Sequence, residues 1–130
     1  MPSRELSEIL SGKRLLGLVR KTPVKEACRC IWECRKGSVL VIDDEHRLLS
    51  IFTGRDAVRV VAEGKDPETT LLLEAMTRKP ITIAPSKQAI DALRTMSECE
   101  FRHLPVVEDG RISGVVSRGD FKGMELDLLD

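Results

Sequence analysis

Aromatic side chains are scarce in this chain: among 130 residues there is no tyrosine, one tryptophan and three phenylalanines, so a core has to be assembled from Val, Ile, Leu and Ala. Neither sign of charge is in excess. With 21 basic and 21 acidic residues and a pI near 6.7, no long-range field favours nucleic acid or an anionic membrane, and a phosphate binder needs a local cluster. Long hydrophobic runs are missing too. The longest, such as residues 38–42, are strand-sized, and the opening MPSRELSEIL puts no cationic region ahead of an apolar one. Neither a membrane span nor a secretory leader is therefore expected, and a cytoplasmic setting is the default. Only two histidines are present, and neither a G-x-S-x-G nor a phosphate-loop pattern occurs. Without a nucleophile, base and orienting group in recognisable order, an enzyme is not expected.

What is present is the composition of a folded domain, 42% hydrophobic and 32% charged. The four cysteines require no disulfide framework. Cys28, Cys30 and Cys34 form C-x-C-x3-C, whereas zinc knuckles use C-x2-C or C-x4-C on turns. Read as a helix, the segment puts Cys30 and Cys34 on one face and Cys28 about 200° away from Cys30. Small apolar helix filler is the favoured reading of these and of Cys99; a thiol or metal sensor is a remote third reading of the whole chain.

The chain is written twice. At an offset of 65 residues, Ala27 aligns with Ala92, Arg29 with Arg94, Glu33 with Glu98, Cys34 with Cys99, Val41 with Val106 and Asp44 with Asp109. One inserted residue near His46 makes the offset 64, and then Arg47 meets Arg111, Thr53 meets Ser117 and Asp56 meets Asp120. Each half carries one β-α-β-β-α pattern, the first ending near residue 66 and the second running over 67–130.

In the second half, residues 80–83 predict a short strand, and Ser86 an N-cap for a helix with Ala89, Ile90, Leu93 and Met96 at helical spacing, ending near Glu100. Residues 104–107 and 112–117 predict two antiparallel strands joined at Asp109 and Gly110, a pair that favours a type I′ turn, before a second helix near residues 118–120. The first half predicts helices at 24–35 and 55–63, strands at 39–42 and 48–52, a turn over 43–47 and an opening strand within 15–20. A break at 64–67 and a short helix over 71–76 lead into the second half.

The stretch MTRKPITIAPSKQAIDALRTMSECEFRHLPVVEDGRISGVVSRGDF, residues 76–121, resembles a CBS motif (the cystathionine-β-synthase repeat): M-T-x-x-P, a helix with a central Ala, x-H-L-P-V-V, D-G-R, then G-h-x-S-x-x-D with h hydrophobic. The likeness extends more loosely over nearly everything after residue 14. It implies an α+β fold in which two motifs pack about a pseudo-twofold axis, sheets facing and helices outside. It also implies clefts for AMP, ADP, ATP, NAD(H) or S-adenosylmethionine, a homodimer, and a signal passed to a regulated protein partner, with no cofactor beyond that regulatory ligand. A ligand-free scaffold for oligomerisation or docking is the rival from another class.

A carboxylate just inside a helix start can accept hydrogen bonds from both hydroxyls of a ribose, and a Ser or Thr three residues earlier can meet a phosphate. Ser117 with Asp120 and Thr53 with Asp56 have that spacing, which is also the spacing of an ordinary N-cap box. Arg55 and Arg118 stand where a cation opposes the helix dipole, as phosphate partners or as solvated arginines. Arg102 and His103 match, by resemblance, positions that reach nucleotide phosphates, although a lone His ahead of an apolar strand also serves structure. Thr77, Ile81, Thr82 and Phe101 are candidates for the adenine slot, with core packing the competing account of Ile81 and Phe101. The first half departs from the pattern, with Gly37 and Ser38 in place of the basic pair, Leu40 for the Pro and Ser50 for the Gly. Trp32 is expected to pack at a helix or subunit interface.

Overall fold

Residue 23 is a proline with φ −63° and ψ 145°, a conformation that ends extended chain and opens the first long helix at the next residue. The computed structural model describes residues 4–10, 15–78, 80–123 and 126, and of residues 77 and 78 the backbone only. The chain divides into two units that do not coincide with the sequence halves at 1–66 and 67–130: one is Leu16–Pro80, the other Met1–Leu15 together with Ile81–Asp130.

Within Leu16–Pro80, strands β1 (Gly17–Val19), β2 (Ser38–Ile42), β3 (Leu48–Thr53) and β4 (Thr77–Arg78) form a sheet in that order. β1 runs parallel to β2, and β3 is antiparallel to both β2 and β4. Period-two alternation turns Val39, Val41 and Phe52 toward α2 (Val24–Cys34), α3 (Gly54–Ala62) and the short α4 (Leu72–Ala75), where they pack with Val24, Ala27, Val60, Leu72 and Ala75. Helix α2 stops at Arg35, left-handed at φ 53°.

In the other unit, α1 (Leu6–Leu10) and α5 (Ala89–Cys99) pack against a hairpin of β5 (His103–Glu108) and β6 (Arg111–Ser117), burying Leu6, Leu93, Met96, Leu104, Val106 and Val116. Positive φ at both Asp109 (51°) and Gly110 (79°) matches the expected type I′ turn. The N-terminal segment joins this unit through backbone hydrogen bonds from Leu6 N–H to the Lys87 carbonyl (2.9 Å) and from Ala89 N–H to the Arg4 carbonyl (2.7 Å). Gly114, at φ 151°, gives Leu10 room: a Cβ there would lie 3.1 Å from Leu10 Cδ2.

Four local expectations change. Residues 80–83 make a single parallel bridge, Ile83 to Val106, while the strand of this region forms earlier, at Thr77–Arg78 against β3. Pro80 has no N–H to extend a ladder. The N-cap of α5 is Gln88 and not Ser86, because the Asp91 carboxylate reaches back to accept from Gln88 N–H at 3.0 Å. The second helix of this half opens as one 3-10 turn (Arg118–Asp120) and is interrupted by an extended, buried Phe121 before helical backbone resumes at residues 123 and 126, so Phe121 belongs to this unit's own core and not to an outward face. Residues 124, 125 and 127–130, expected to continue that face, lie outside the described residues. Trp32 is 84% exposed, so no helix packing holds it within the chain. Among the described residues no helix is long and apolar enough to cross a membrane.

Candidate functional site

The β5–β6 ladder ends by pairing His103 with Ser117, and Arg118 N–H then donates to the Arg102 carbonyl at 3.1 Å. The register alone therefore gathers Arg102, His103, Ser117 and Arg118 at the open end of the hairpin, some fifteen residues apart in sequence but adjacent in space. Asp120 closes the group: its Oδ2 accepts from Ser117 N–H at 2.7 Å and from the Ser117 hydroxyl at 3.2 Å. Burial pushes the His103 imidazole below its ordinary pKa; the Asp120 charge pulls it back up and Arg102 pushes it further down. His103 is thus a neutral hydrogen-bonding group near pH 7, and the positive charge of the cluster resides on Arg102 and Arg118, both exposed. Ile81 (44% exposed) and Phe101 (37%) belong to the same unit, as does exposed Thr82; core packing does not account for any of them.

The matching turn of the other unit is built alike and used differently. Asp56 Oδ2 accepts from Thr53 N–H (2.9 Å) and from the Thr53 hydroxyl (3.1 Å), and Asp56 N–H donates to Thr53 Oγ1 (3.4 Å), a reciprocal capping box at the start of α3. Its second oxygen accepts from the Arg59 guanidinium at 3.1 Å, and Arg59 also donates to the Ala75 carbonyl, stitching α3 to the end of α4. The Asp56 residue is only 9% exposed. At the offset of 64, Arg59 corresponds to Gly123. Arg55 is exposed. Thr77 is carried by β4 beside β3, the strand that ends at Thr53, and so falls in this unit and not with Ile81, Thr82 and Phe101.

Two residues escaped the sequence reading. Arg59 was findable, since an arginine one turn after a helix-start aspartate on the same face is a standard ion pair. Arg4 was not: its guanidinium donates to the Asp120 carbonyl at 3.1 Å across 116 residues of chain, and it precedes the repeated region. Cys28, Cys30 and Cys34 lie on α2, and burial raises the Cys28 and Cys30 thiols above their ordinary range, away from the thiolate that metal ligation needs. Among the described residues no three His, Cys, Asp or Glu side chains converge as metal ligands. The arrangement offers an acceptor carboxylate, a hydroxyl, two guanidinium groups and exposed apolar carbon, a set suited to holding a polar ligand.

Comparison with known proteins shows what the chain resembles. The CBS domain model matches residues 72–124. Over 92 residues the chain is 46% identical to the CBS domain-containing protein CBSCBSPB2 of Arabidopsis thaliana; the match takes in 70% of this chain but spans only 17% of that relative's length. The CBS domain pair of protein MJ0100, solved in complex with 5′-methylthioadenosine and S-adenosyl-L-methionine, is 25% identical with a TM-score of 0.83, over 92% of this chain and 93% of that one. The CBS domain protein PAE2072 of Pyrobaculum aerophilum, complexed with AMP, has a TM-score of 0.87 over 97% of this chain and 98% of its own; at 24% identity it speaks to the fold.

Proposed function

The chain belongs to the CBS-domain family as a CBS domain pair, and from that premise we propose that it is a regulatory module, not an enzyme, whose signal is an adenosyl nucleotide bound at the turn of residues 117–120. The observation that carries the reading is the joining of Ser117 and Asp120 by hydrogen bonds at the hairpin end that also presents Arg102, His103 and Arg118. Asp120 takes the ribose hydroxyls, the arginines meet phosphate, and Ile81, Thr82 and Phe101 supply apolar surface for the base. Thr53, Arg55, Asp56 and Thr77 form the weaker counterpart, since the first half has Gly37 and Ser38 where the second has Arg102 and His103. The ligand shifts the conformational balance only as far as it prefers one state, and a cytoplasmic protein partner reads that shift. Calorimetric titration with AMP, ADP, ATP, NAD, NADH and S-adenosylmethionine tests this: saturable binding of at least one is expected. Failure of all six, in protein that carries no co-purified absorbance near 260 nm, leaves the rival reading of a ligand-free scaffold.

We also propose that the module is a homodimer. Val58 and Val61 on α3 are 68% and 70% exposed while Val60, on the opposite side, is buried, so α3 shows an outward apolar face that isologous pairing would cover. Trp32 stands exposed in the same unit as a further contact for a second copy. Light scattering at tens of micromolar is expected to give twice the 14.5 kDa of one chain; the mass of a single chain would refute pairing.

A further inference from the structure

We infer that Arg4 is the positioning residue of the ligand turn at residues 117–120, holding Asp120 in place through the main chain. This rests on the reading above that Asp120 takes the ribose.

The two halves secure their equivalent turns by different means. After Asp56 the chain continues as α3 to Ala62, and the i to i+4 ladder of a nine-residue helix fixes the turn from behind. After Asp120 the helical turn ends at once: Phe121 is extended, with φ −97° and ψ 144°. At that point Arg4 Nη2 donates to the Asp120 carbonyl at 3.1 Å, on the main chain of the very residue whose carboxylate caps Ser117. Arg4 is itself held. Its carbonyl accepts from Ala89 N–H at 2.7 Å, at the first residue of α5, and the next residue, Glu5, bridges to Gln88. Leu6 and Ile9, just beyond, are 0% and 6% exposed in the hydrophobic core of this unit. The guanidinium is therefore mounted on a segment anchored at both the N-terminus of α5 and the core, and it reaches a turn that, unlike its counterpart, does not run directly into a helix, since Phe121 is extended and helical backbone resumes only at residue 123. A charged donor on a carbonyl is among the stronger neutral-acceptor hydrogen bonds, and its planar fork loses little freedom on binding.

The test uses the full chain with Arg4→Met, which keeps the length of the side chain without the donor, and Arg4→Lys, which keeps a donor. In the ligand-free protein, amide hydrogen exchange of residues 117–121 is expected to speed up about fivefold or more in Arg4→Met and to return close to wild type in Arg4→Lys. By calorimetry with AMP as probe, Arg4→Met is expected to weaken binding by about fivefold to twentyfold, with most of the loss recovered in Arg4→Lys. In an Asp120→Ala background, Arg4→Met should cost no further affinity, because what Arg4 positions is gone. Unchanged exchange in Arg4→Met, equal losses for Met and Lys, or full additivity with Asp120→Ala would each overturn the assignment. A wild type that does not bind AMP would count against the nucleotide reading, and the exchange arm would then decide by itself whether Arg4 holds the turn.

Discussion

Asp120→Ala is expected to weaken adenosyl-ligand binding by about ten- to several-hundred-fold and to leave the protein folded. A ribose offers two adjacent hydroxyls, and a carboxylate accepting both makes charge-assisted hydrogen bonds of roughly 1.5–3 kcal/mol each, at about tenfold in affinity per 1.4 kcal/mol. The same carboxylate caps Ser117, so the variant also loses about 1 kcal/mol of stability, too little to unfold a domain. Asp56→Ala reverses the balance. That carboxylate accepts from the Thr53 amide and hydroxyl and from Arg59, and the residue is nearly buried. Its removal leaves polar groups of Thr53 and Arg59 without their acceptor and costs about 1–3 kcal/mol of stability, with less effect on ligand affinity. Calorimetry combined with thermal melts followed by circular dichroism separates the two. Wild-type affinity in Asp120→Ala would refute the site, and a larger affinity loss at Asp56 would reverse the ranking of the two turns.

Phe52→Ala is expected to be the most damaging single truncation. Phe52 is fully buried, faces Val39 across the β2–β3 ladder and shares a cluster with Val24, Ala27, Val60 and Leu72. With so few aromatics in the chain, no neighbouring ring can move in to fill the space, and the loss is about 3–5 kcal/mol, a large part of the 5–15 kcal/mol typical of a whole domain. Because Thr53 follows directly on β3, the turn carrying Asp56 is loosened with it. Urea unfolding followed by circular dichroism is the right measurement, since Trp32 is already exposed in the folded protein and reports little. The midpoint should fall sharply for Phe52→Ala and slightly for Phe52→Leu, which refills most of the volume. Equal midpoints for Phe52→Ala and wild type would show that Phe52 does not hold that core.

What the sequence by itself determined was set within a few residues of chain. The hairpin turn at Asp109 and Gly110 follows from which residues tolerate positive φ, the helices over 24–34 and 89–99 from apolar spacing, and the two serine or threonine to aspartate caps from hydrogen bonds that span three positions. The register of β5 on β6 starts from that turn, but a bulge between Val106 and Val107 shifts it by one residue, and only the folded ladder brings Arg102 and His103 beside Ser117 and Arg118. The exposure of Ile81 and Phe101, by contrast, needed the folded chain, because an apolar residue reads alike in a core and on a ligand-facing surface. Only the tertiary structure decided which unit receives each connecting segment. Residues 4–10 join the second repeat through Lys87 and Ala89, and Thr77–Arg78 join the first through β3. It alone decided that Asp56 is held by an arginine bridging to Ala75, and that Asp120 is held from behind by Arg4 across 116 residues. The physical reason is that these contacts depend on which backbone groups remain to be satisfied once strands and helices have formed, and no local preference in the chain encodes that.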